Sequence, residues 1–270
     1  MSNSPAEDLA LAFYALGELE FFQPNGKHLA EVKNRGILVA RAQNLSAEAF
    51  PAFAAELLQT ISGYCLDSGN SSGALFRAFD GIDEVLAINY QESRSSMPAN
   101  QASERLYESG GVGVQTSYAT ILKVLAAMQL PEGSHLMDLG SGFGRVGLAA
   151  GLCRDDLHFT GYEFVGHRVD AANISASRAG LADRVKFRQQ DLGALNFEIP
   201  AADAYYLYDP FSAATYERVF TRLSELASFQ KTTVIAKDGA RGNFQRAMSA
   251  GAWHAPEVLD EGTILLFRSR

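Results

Sequence analysis

The chain has 270 residues, of which 47% are hydrophobic and 20% are charged, and this is enough to bury one full core and a smaller second core. It shows no charged-then-apolar leader and no apolar run near the roughly 20 residues that a membrane span needs, so we expect a cytoplasmic protein without membrane contact. The net charge of −8 is uneven, because residues 1–108 carry 7 Lys and Arg against 14 Asp and Glu, whereas residues 109–270 carry 16 against 17. The acidic first part disfavours nucleic acid as a partner and favours a basic protein or a cationic small molecule.

Two amphipathic patterns predict helices in the first part of the chain. Residues 6–22 carry apolar side chains at helical spacing, and a stronger i, i+3, i+4, i+7 pattern begins at Phe50. We predict that residues 1–108 form a mainly helical cap that shapes a substrate site, ahead of a second domain over residues 109–270. Cys65 and Cys153 fall on apolar faces of predicted helices and are expected to be buried free thiols.

Two loops in this first part invite a functional interpretation. Residues 69–73 match the G-x-S-x-G pattern of hydrolases, but that nucleophile needs a buried strand directly before it. The preceding Asp67 and Ser68 are polar, which favours a solvated loop. Residues 91–115 are rich in Ser, Asn, Gly and charge, and we interpret them as a linker or as a loop that covers a ligand.

A glycine-rich turn lies near the middle of the chain. An apolar run from His135 to Leu139 contains Asp138 and is followed by Gly140, Gly142 and Gly144. Glycine at alternate positions is typical of a buried strand that turns sharply into a helix, where backbone crowding excludes a side chain. The first amides of such a helix have no partner within it and can face a ligand. The pattern therefore predicts a ligand-binding turn.

After this turn, strand-like and helix-like stretches alternate, which predicts an α/β sheet wound by right-handed crossovers. Ligands bind such sheets at the carboxyl ends of the strands, and Gly140, Glu163, Asp191 and Asp209 all follow predicted strands. Each acid alone has an ordinary structural explanation, such as capping a turn. The predicted strands cover 158–163, 185–190, 204–208 and 232–237, with one or two more between 253 and 270, and the predicted helices cover 144–153, 166–179, 212–229 and 242–250.

The glycine spacing resembles the D-x-G-x-G-x-G motif of class I S-adenosylmethionine-dependent methyltransferases rather than the G-x-G-x-x-G of dinucleotide folds. The resemblance covers roughly residues 114–270 and implies a Rossmann-like, mostly parallel seven-stranded sheet flanked by helices, with S-adenosyl-L-methionine as the cofactor. It implies that Glu163 holds the ribose hydroxyls and that Asp191 meets the adenine amine. The implied cofactor residues in this part are Asp138, Gly140, Ser141, Gly142, Gly144, Glu163, Phe164, Asp191 and Leu192.

A closer resemblance begins ahead of the sheet. Gln115-Thr116-Ser117-Tyr118, the run from Met137 to Val146 and Gly161-Tyr162-Glu163 together resemble the non-SET histone lysine methyltransferases and their bacterial relatives. In that group a loop folds over the cofactor, which implies that Gln115 and Thr116 lie near its methionine part. The chain departs from the group at Gln115, where the group has a glutamate, and after the fourth predicted strand, where the group has an Asn-rich element and this chain has Tyr208-Asp209-Pro210-Phe211. The long basic tail of the group is also missing.

The element after the fourth predicted strand points to the reaction. Asp209-Pro210-Phe211 resembles the (D/N)PP(Y/F) element that lies beside the reacting methyl group in this family. Asp209 and the carbonyl groups around Pro210 can accept hydrogen bonds from an attacking amine, and Tyr208 and Phe211 offer aromatic faces for a methylated, cationic nitrogen. We therefore expect N-methylation of a protein lysine or a small-molecule amine, with these four residues as the catalytic set.

Several alternatives remain open at this stage. A nicotinamide-dependent oxidoreductase is disfavoured by the glycine spacing, and an inactive cofactor-binding interaction module is disfavoured by the intact strand ends. Asp138 can order the turn or receive the cofactor ammonium, and Arg145 can reach a substrate carboxylate or form a surface ion pair. The histidines show no ligand spacing, so no metal is expected, and the oligomeric state is left undetermined.

Overall fold

The structure is a computed structural model that describes residues 39–67, 82–88, 90, 115–208, 211–247 and 252–270. Several sequence predictions fall outside these residues: the helix over 6–22, the G-x-S-x-G loop over 69–73 and the loop from 91 to 114. Asp209 and Pro210 also lie outside the described residues. Among the described helices, none is both long and apolar enough to cross a membrane.

The described strands form one sheet of seven strands in the order β3-β2-β1-β4-β5-β7-β6. Strands β1 to β5 are parallel, and β7 runs antiparallel to both β5 and β6. This sheet and its flanking helices have the class I methyltransferase fold, which confirms the predicted fold class. The strands are β1 His135–Leu139, β2 His158–Glu163, β3 Val185–Gln189, β4 Ala204–Tyr208, β5 Thr233–Lys237, β6 Glu257–Leu259 and β7 Ile264–Arg268.

Helices cover both faces of the sheet, and the helices predicted from periodicity within the described residues are found within a few residues of their predicted bounds. The largest difference is in the last helix, which begins at Gly239 rather than at Gly242. One short helical turn precedes the first long helix at 39–43. The other helices are α1 Phe50–Asp67, α2 Ile82–Val85, α3 Tyr118–Met128, α4 Arg145–Cys153, α5 Gly166–Arg178, α6 Ala213–Phe229 and α7 Gly239–Ala247, and a 3₁₀ turn spans Asp260–Gly262.

Two clusters of buried apolar side chains lie on the two faces of the sheet. One cluster joins the sheet to α1, α3, α4 and α5, and the other joins it to α6 and α7. The apolar face of α1, from Phe50 to Ile61, is buried against α3 and α4, as its periodicity predicts. The described part of the N-terminal region therefore shares a core with the sheet, and a domain boundary near residue 108 stays a prediction.

Both cysteines are free thiols, as predicted, although Cys153 is only partly buried. Burial raises the pKa of the Cys65 thiol to about 12, and burial also raises the pKa of Cys153 to about 12. Both side chains are therefore protonated near neutral pH and behave as small apolar groups.

Candidate functional site

The glycine turn has the left-handed backbone that only glycine adopts without strain. Gly140, Gly142 and Gly144 have φ angles of 101°, 53° and 86°. A Cβ atom at Gly144 would lie 2.7 Å from the Ala172 side chain and 2.7 Å from the Phe187 ring. The amides of Gly140 and Ser141 both donate to the Tyr162 carbonyl, at 2.9 and 2.8 Å. The turn is therefore held against β2, and its alternate glycines are explained by geometry.

Glu163, at the end of β2, reaches the middle of this turn. Its Oε2 accepts a hydrogen bond from the Gly142 amide at 2.9 Å, and its Oε1 accepts one from the Val165 amide at 3.0 Å. The Arg168 guanidinium lies 3.8 Å from Oε1, and Glu163 is only 6% exposed. A carboxylate has about four acceptor positions, and these two amides use one on each oxygen. The structure thus brings together two elements that the sequence predicts to meet.

Asp138 lies beneath the turn, on β1, and is 3% exposed. Burial raises the pKa of its carboxyl group well above the ordinary value, and the nearby negative charge of Glu163 raises it further. A cationic group brought to this position would favour the ionised form. The arrangement is chemically suited to an ammonium group.

Gln115 and Thr116 lie close to the glycine turn, and their position near the methionine part of the cofactor stays a prediction. A Cβ atom at Gly142 would lie 3.2 Å from Gln115 Nε2. The Thr116 hydroxyl is 2.8 Å from the hydroxyl of Tyr206 on β4. Directly after them, Ser117 caps α3 by accepting a hydrogen bond from the Thr120 amide at 3.1 Å. This segment is therefore fixed to both the sheet and α3.

Arg145 pairs with a buried acid, whereas the sequence predicted a contact with a substrate carboxylate or a surface ion pair. It is 1% exposed, and its guanidinium forms a buried ion pair with Asp83 of α2, which is 3% exposed. Its Nε donates to Asp83 Oδ1 at 3.0 Å, and a second guanidinium nitrogen donates to the Thr116 carbonyl at 2.9 Å. Tyr90 and Tyr118 also donate to the Asp83 carboxylate, at 2.7 and 2.6 Å.

We call Asp83, Tyr90, Tyr118 and Arg145 the Asp83 cluster. Sequence reasoning missed it because 62 residues separate the two charges and because Asp83 belongs to a helix of four residues without readable periodicity. The one available signal for the cluster was the position of Arg145, a charged residue directly after the glycine turn.

The end of β3 carries the residues predicted to meet an adenine ring. Asp191 Oδ1 accepts a hydrogen bond from the Gly193 amide at 2.7 Å, so this side chain caps the turn after the strand. Leu192 is buried and Phe164 is partly buried. A capping role does not prevent a carboxylate from accepting a further hydrogen bond, and the adenine contact stays a prediction.

Of the four predicted catalytic residues, the structure describes Tyr208 and Phe211. Tyr208 ends β4 and is partly exposed, with Lys237 Nζ 3.8 Å from its ring centre. Phe211 is fully buried and packs edge-on against Tyr216, with 5.3 Å between ring centres. It therefore belongs to the core cluster under α6, and its ring offers no open face here, contrary to its predicted role. Apolar packing outweighs the motif at this position.

A cleft of about 740 Å³ adjoins the end of β5, between α7 and the outer strands. Asp238 lies in its lining and forms an ion pair with Lys237 at 2.6 Å. The lining also includes Arg241, Asn243 and Val258. The cleft thus combines both signs of charge with apolar surface, close to the Lys237–Tyr208 contact.

No protein-family model matches the chain. Among solved structures, an RNA methyltransferase from Salinibacter ruber in complex with S-adenosyl-L-homocysteine is 25% identical, with 58% of this chain and 92% of that chain covered and a TM-score of 0.43. TrmN from Thermus thermophilus is 15% identical over 57% of this chain and 49% of that chain, with a TM-score of 0.45. A SAM-dependent O-methyltransferase from Thermotoga maritima is 12% identical over 58% of this chain and 66% of that chain, with a TM-score of 0.44. The fold assignment rests on the strand order and the glycine turn of this chain itself.

Proposed function

We propose that the chain is an S-adenosyl-L-methionine-dependent methyltransferase. The observation that carries the proposal is the hydrogen bond from the Gly142 amide to the Glu163 carboxylate, at 2.9 Å. It joins the middle of the glycine turn to the acid at the end of the next strand. Such an acid, placed beside a turn that lets backbone approach closely, is suited to a ribose with two adjacent hydroxyl groups.

The residues present fit this cofactor. At Gly142, which has a φ of 53°, a Cβ atom would lie 3.2 Å from Gln115 Nε2, so glycine here lets the turn and Gln115 approach each other closely. Glu163 would hold the ribose hydroxyls, Asp138 would face the ammonium group, and Asp191 with Leu192 would border the adenine. When bound, the cofactor supplies an electrophilic methyl group on a sulfonium. The protein's own contribution is alignment, because an in-line displacement depends on a close and oriented nucleophile.

The cofactor proposal is tested by titration with S-adenosyl-L-homocysteine in a calorimeter. We expect the wild type to bind and Glu163→Ala to lose about tenfold or more in affinity, since a charge-assisted contact to hydroxyls contributes about 1.5–3 kcal/mol. The matched control is Asp203→Ala. Asp203 likewise accepts a hydrogen bond from a backbone amide, that of His135 at 2.8 Å, but at the opposite edge of the sheet. Equal affinity in both variants would contradict the role of Glu163.

For the acceptor we propose an amine, of a protein lysine or a small molecule. The ring of Tyr208 already carries an ammonium group, that of Lys237 at 3.8 Å, so its face is suited to a cation. Transfer of a methyl group from a sulfonium to a neutral amine gives a positively charged ammonium product, which this ring face would suit. The excess of acidic residues in the first 108 positions supports attraction of a basic partner.

The acceptor proposal is tested by a labelled-methyl transfer assay on fractionated lysate. We expect the label to appear in protein or in a small amine. We expect Tyr208→Leu to lower kcat/KM by about tenfold, because the loss of one cation–π contact has about this effect. The affinity of this variant for S-adenosyl-L-homocysteine should be unchanged. Label in RNA, the acceptor named for the Salinibacter ruber protein, or label in an ester would overturn the amine assignment. It would leave the cofactor proposal intact.

We also propose kinship with the non-SET histone lysine methyltransferases, with residues 1–108 as a cap that shapes the acceptor site. Support comes from Gln115 and Thr116, which lie close to the glycine turn that would hold the cofactor. Asp209 and Pro210 keep their proposed place beside the reacting methyl group, next to Tyr208.

A further inference from the structure

We infer that the Asp83–Arg145 pair is a positioning device that holds Gln115 and Thr116 over the glycine turn and thereby sets the affinity for the cofactor. The inference rests on the proposed function. It assigns to Asp83 and Tyr90 a role at the cofactor side of the site, in addition to the acceptor side proposed for the N-terminal region.

Three side chains donate hydrogen bonds to one buried carboxylate, that of Asp83. Asp83 accepts from Tyr118 at 2.6 Å, from Tyr90 at 2.7 Å and from Arg145 Nε at 3.0 Å, and a second Arg145 nitrogen completes a two-point contact. The guanidinium carbon also lies over two rings, 4.9 Å from the centre of Tyr118 and 6.0 Å from that of Tyr90. The guanidinium is therefore fixed in both position and plane.

The fixed guanidinium of Arg145 points to the segment ahead of α3. Arg145 is the first residue of α4 and follows Gly144 of the turn. Its remaining terminal nitrogen donates to the Thr116 carbonyl at 2.9 Å. The Thr116 hydroxyl in turn contacts Tyr206, which pairs with Asp138 across the sheet. One side chain thus links the turn to the segment that covers it.

Stability alone does not account for the buried pair of Asp83 and Arg145. Replacing a buried ion pair with apolar groups of similar size is often neutral or stabilising, because desolvation of the charges offsets their attraction. What arginine adds is a rigid planar fork that bonds a carboxylate and a carbonyl in a defined geometry, which a lysine ammonium does not reproduce. The geometry therefore favours positioning as the function of the pair.

The test replaces both charges, because removing one alone leaves the other buried and unpaired and risks unfolding. The variant is Asp83→Asn/Arg145→Met. Its matched control is Asp156→Asn/Arg154→Met, at the other end of α4. There Arg154 also pairs with an aspartate and also donates to a backbone carbonyl, that of Leu130 at 2.9 Å, away from the glycine turn.

Two measurements decide the outcome. In ligand-free protein, hydrogen exchange of the amides of residues 115–118 should accelerate by about tenfold in the first variant only, with a melting temperature close to that of the wild type. In calorimetry with S-adenosyl-L-homocysteine, the first variant should bind about tenfold more weakly, the loss expected when two side chains must be ordered on binding. The control variant should match the wild type in both.

Each other result overturns the inference in a recognisable way. If the wild type binds S-adenosyl-L-homocysteine and the first variant binds equally well, the positioning role is wrong and the proposed function stands. If exchange at residues 115–118 is unchanged, the pair does not hold this segment. If the wild type does not bind, the proposed function fails, and the assigned effect on cofactor affinity fails with it.

Discussion

Asp138 is the residue whose chemistry depends most on its surroundings. It lies on the central strand, 3% exposed, and burial together with the charge of Glu163 raises its pKa well above the usual 3.8. A carboxyl group in this position is costly for an unliganded protein, because its ionised form is disfavoured. A cationic ligand group would reverse that cost, which gives a physical reason for an acid just before a glycine turn.

This cost predicts a pH dependence of stability. Because the pKa of Asp138 is higher in the folded protein than in the unfolded chain, folding takes up a proton between pH 3.8 and the raised pKa. The free energy of unfolding then falls as the pH rises through that interval. Asp138→Asn removes the titration, so we expect its melting temperature to exceed that of the wild type by a few degrees, with a margin that grows as the pH rises from 3.8 towards the raised pKa.

Differential scanning calorimetry of both ligand-free proteins across this range checks the prediction. A margin that stays constant with pH would show that Asp138 does not titrate differently in the folded state. The same variant should bind S-adenosyl-L-homocysteine more weakly, because the amide cannot supply the negative charge for the ammonium group.

At the scale of elements, the parallel strands and their helices were predictable because each carries a local signal. The run from Ala204 to Tyr208 is predicted and found with the same bounds, since a strand buried on both faces is a continuous apolar run. The helix over 166–179 ends where Gly180 has a φ of 69°, the left-handed conformation that stops a helix. Glu163 and the glycine turn could be placed together because parallel strands share one carboxyl edge.

Elements without such a signal could not be placed. Helix α2 spans one turn, from Ile82 to Val85, and no periodicity distinguishes so short a segment from a loop. The ion pair of Asp83 with Arg145 depends on tertiary packing, as does the contact of Thr116 with Tyr206, 90 residues further along the chain. Phe211 shows the converse case, because a motif predicts a chemical role and packing against Tyr216 decides otherwise.

At the scale of the whole molecule, the two core clusters share their strands. Alternate residues of one strand point to opposite faces, so that on β4 Tyr206 belongs to the first cluster and Tyr205 and Leu207 to the second. Neither cluster can lose its packing without disrupting the sheet that supports the other. We therefore expect a single cooperative unfolding transition for the described part of the chain.

The single tryptophan allows the predicted cooperative unfolding to be tested with a probe that lies away from the proposed cofactor residues. Trp253 is 2% exposed and packs against Phe244 in the second cluster, with ring centres 5.3 Å apart. Ligand at about 100 times its Kd stabilises the folded state by about 2.7 kcal/mol, which corresponds to a rise of roughly 5–10 °C in Tm for a protein of this size. We expect S-adenosyl-L-homocysteine to shift the Trp253 fluorescence transition and the far-UV circular dichroism transition by the same amount, and the same ligand concentration to shift both by about half as much or less in Glu163→Ala, whose affinity is about tenfold lower or weaker still. A ligand shift seen by circular dichroism but not by Trp253 would show that the two faces of the sheet unfold separately.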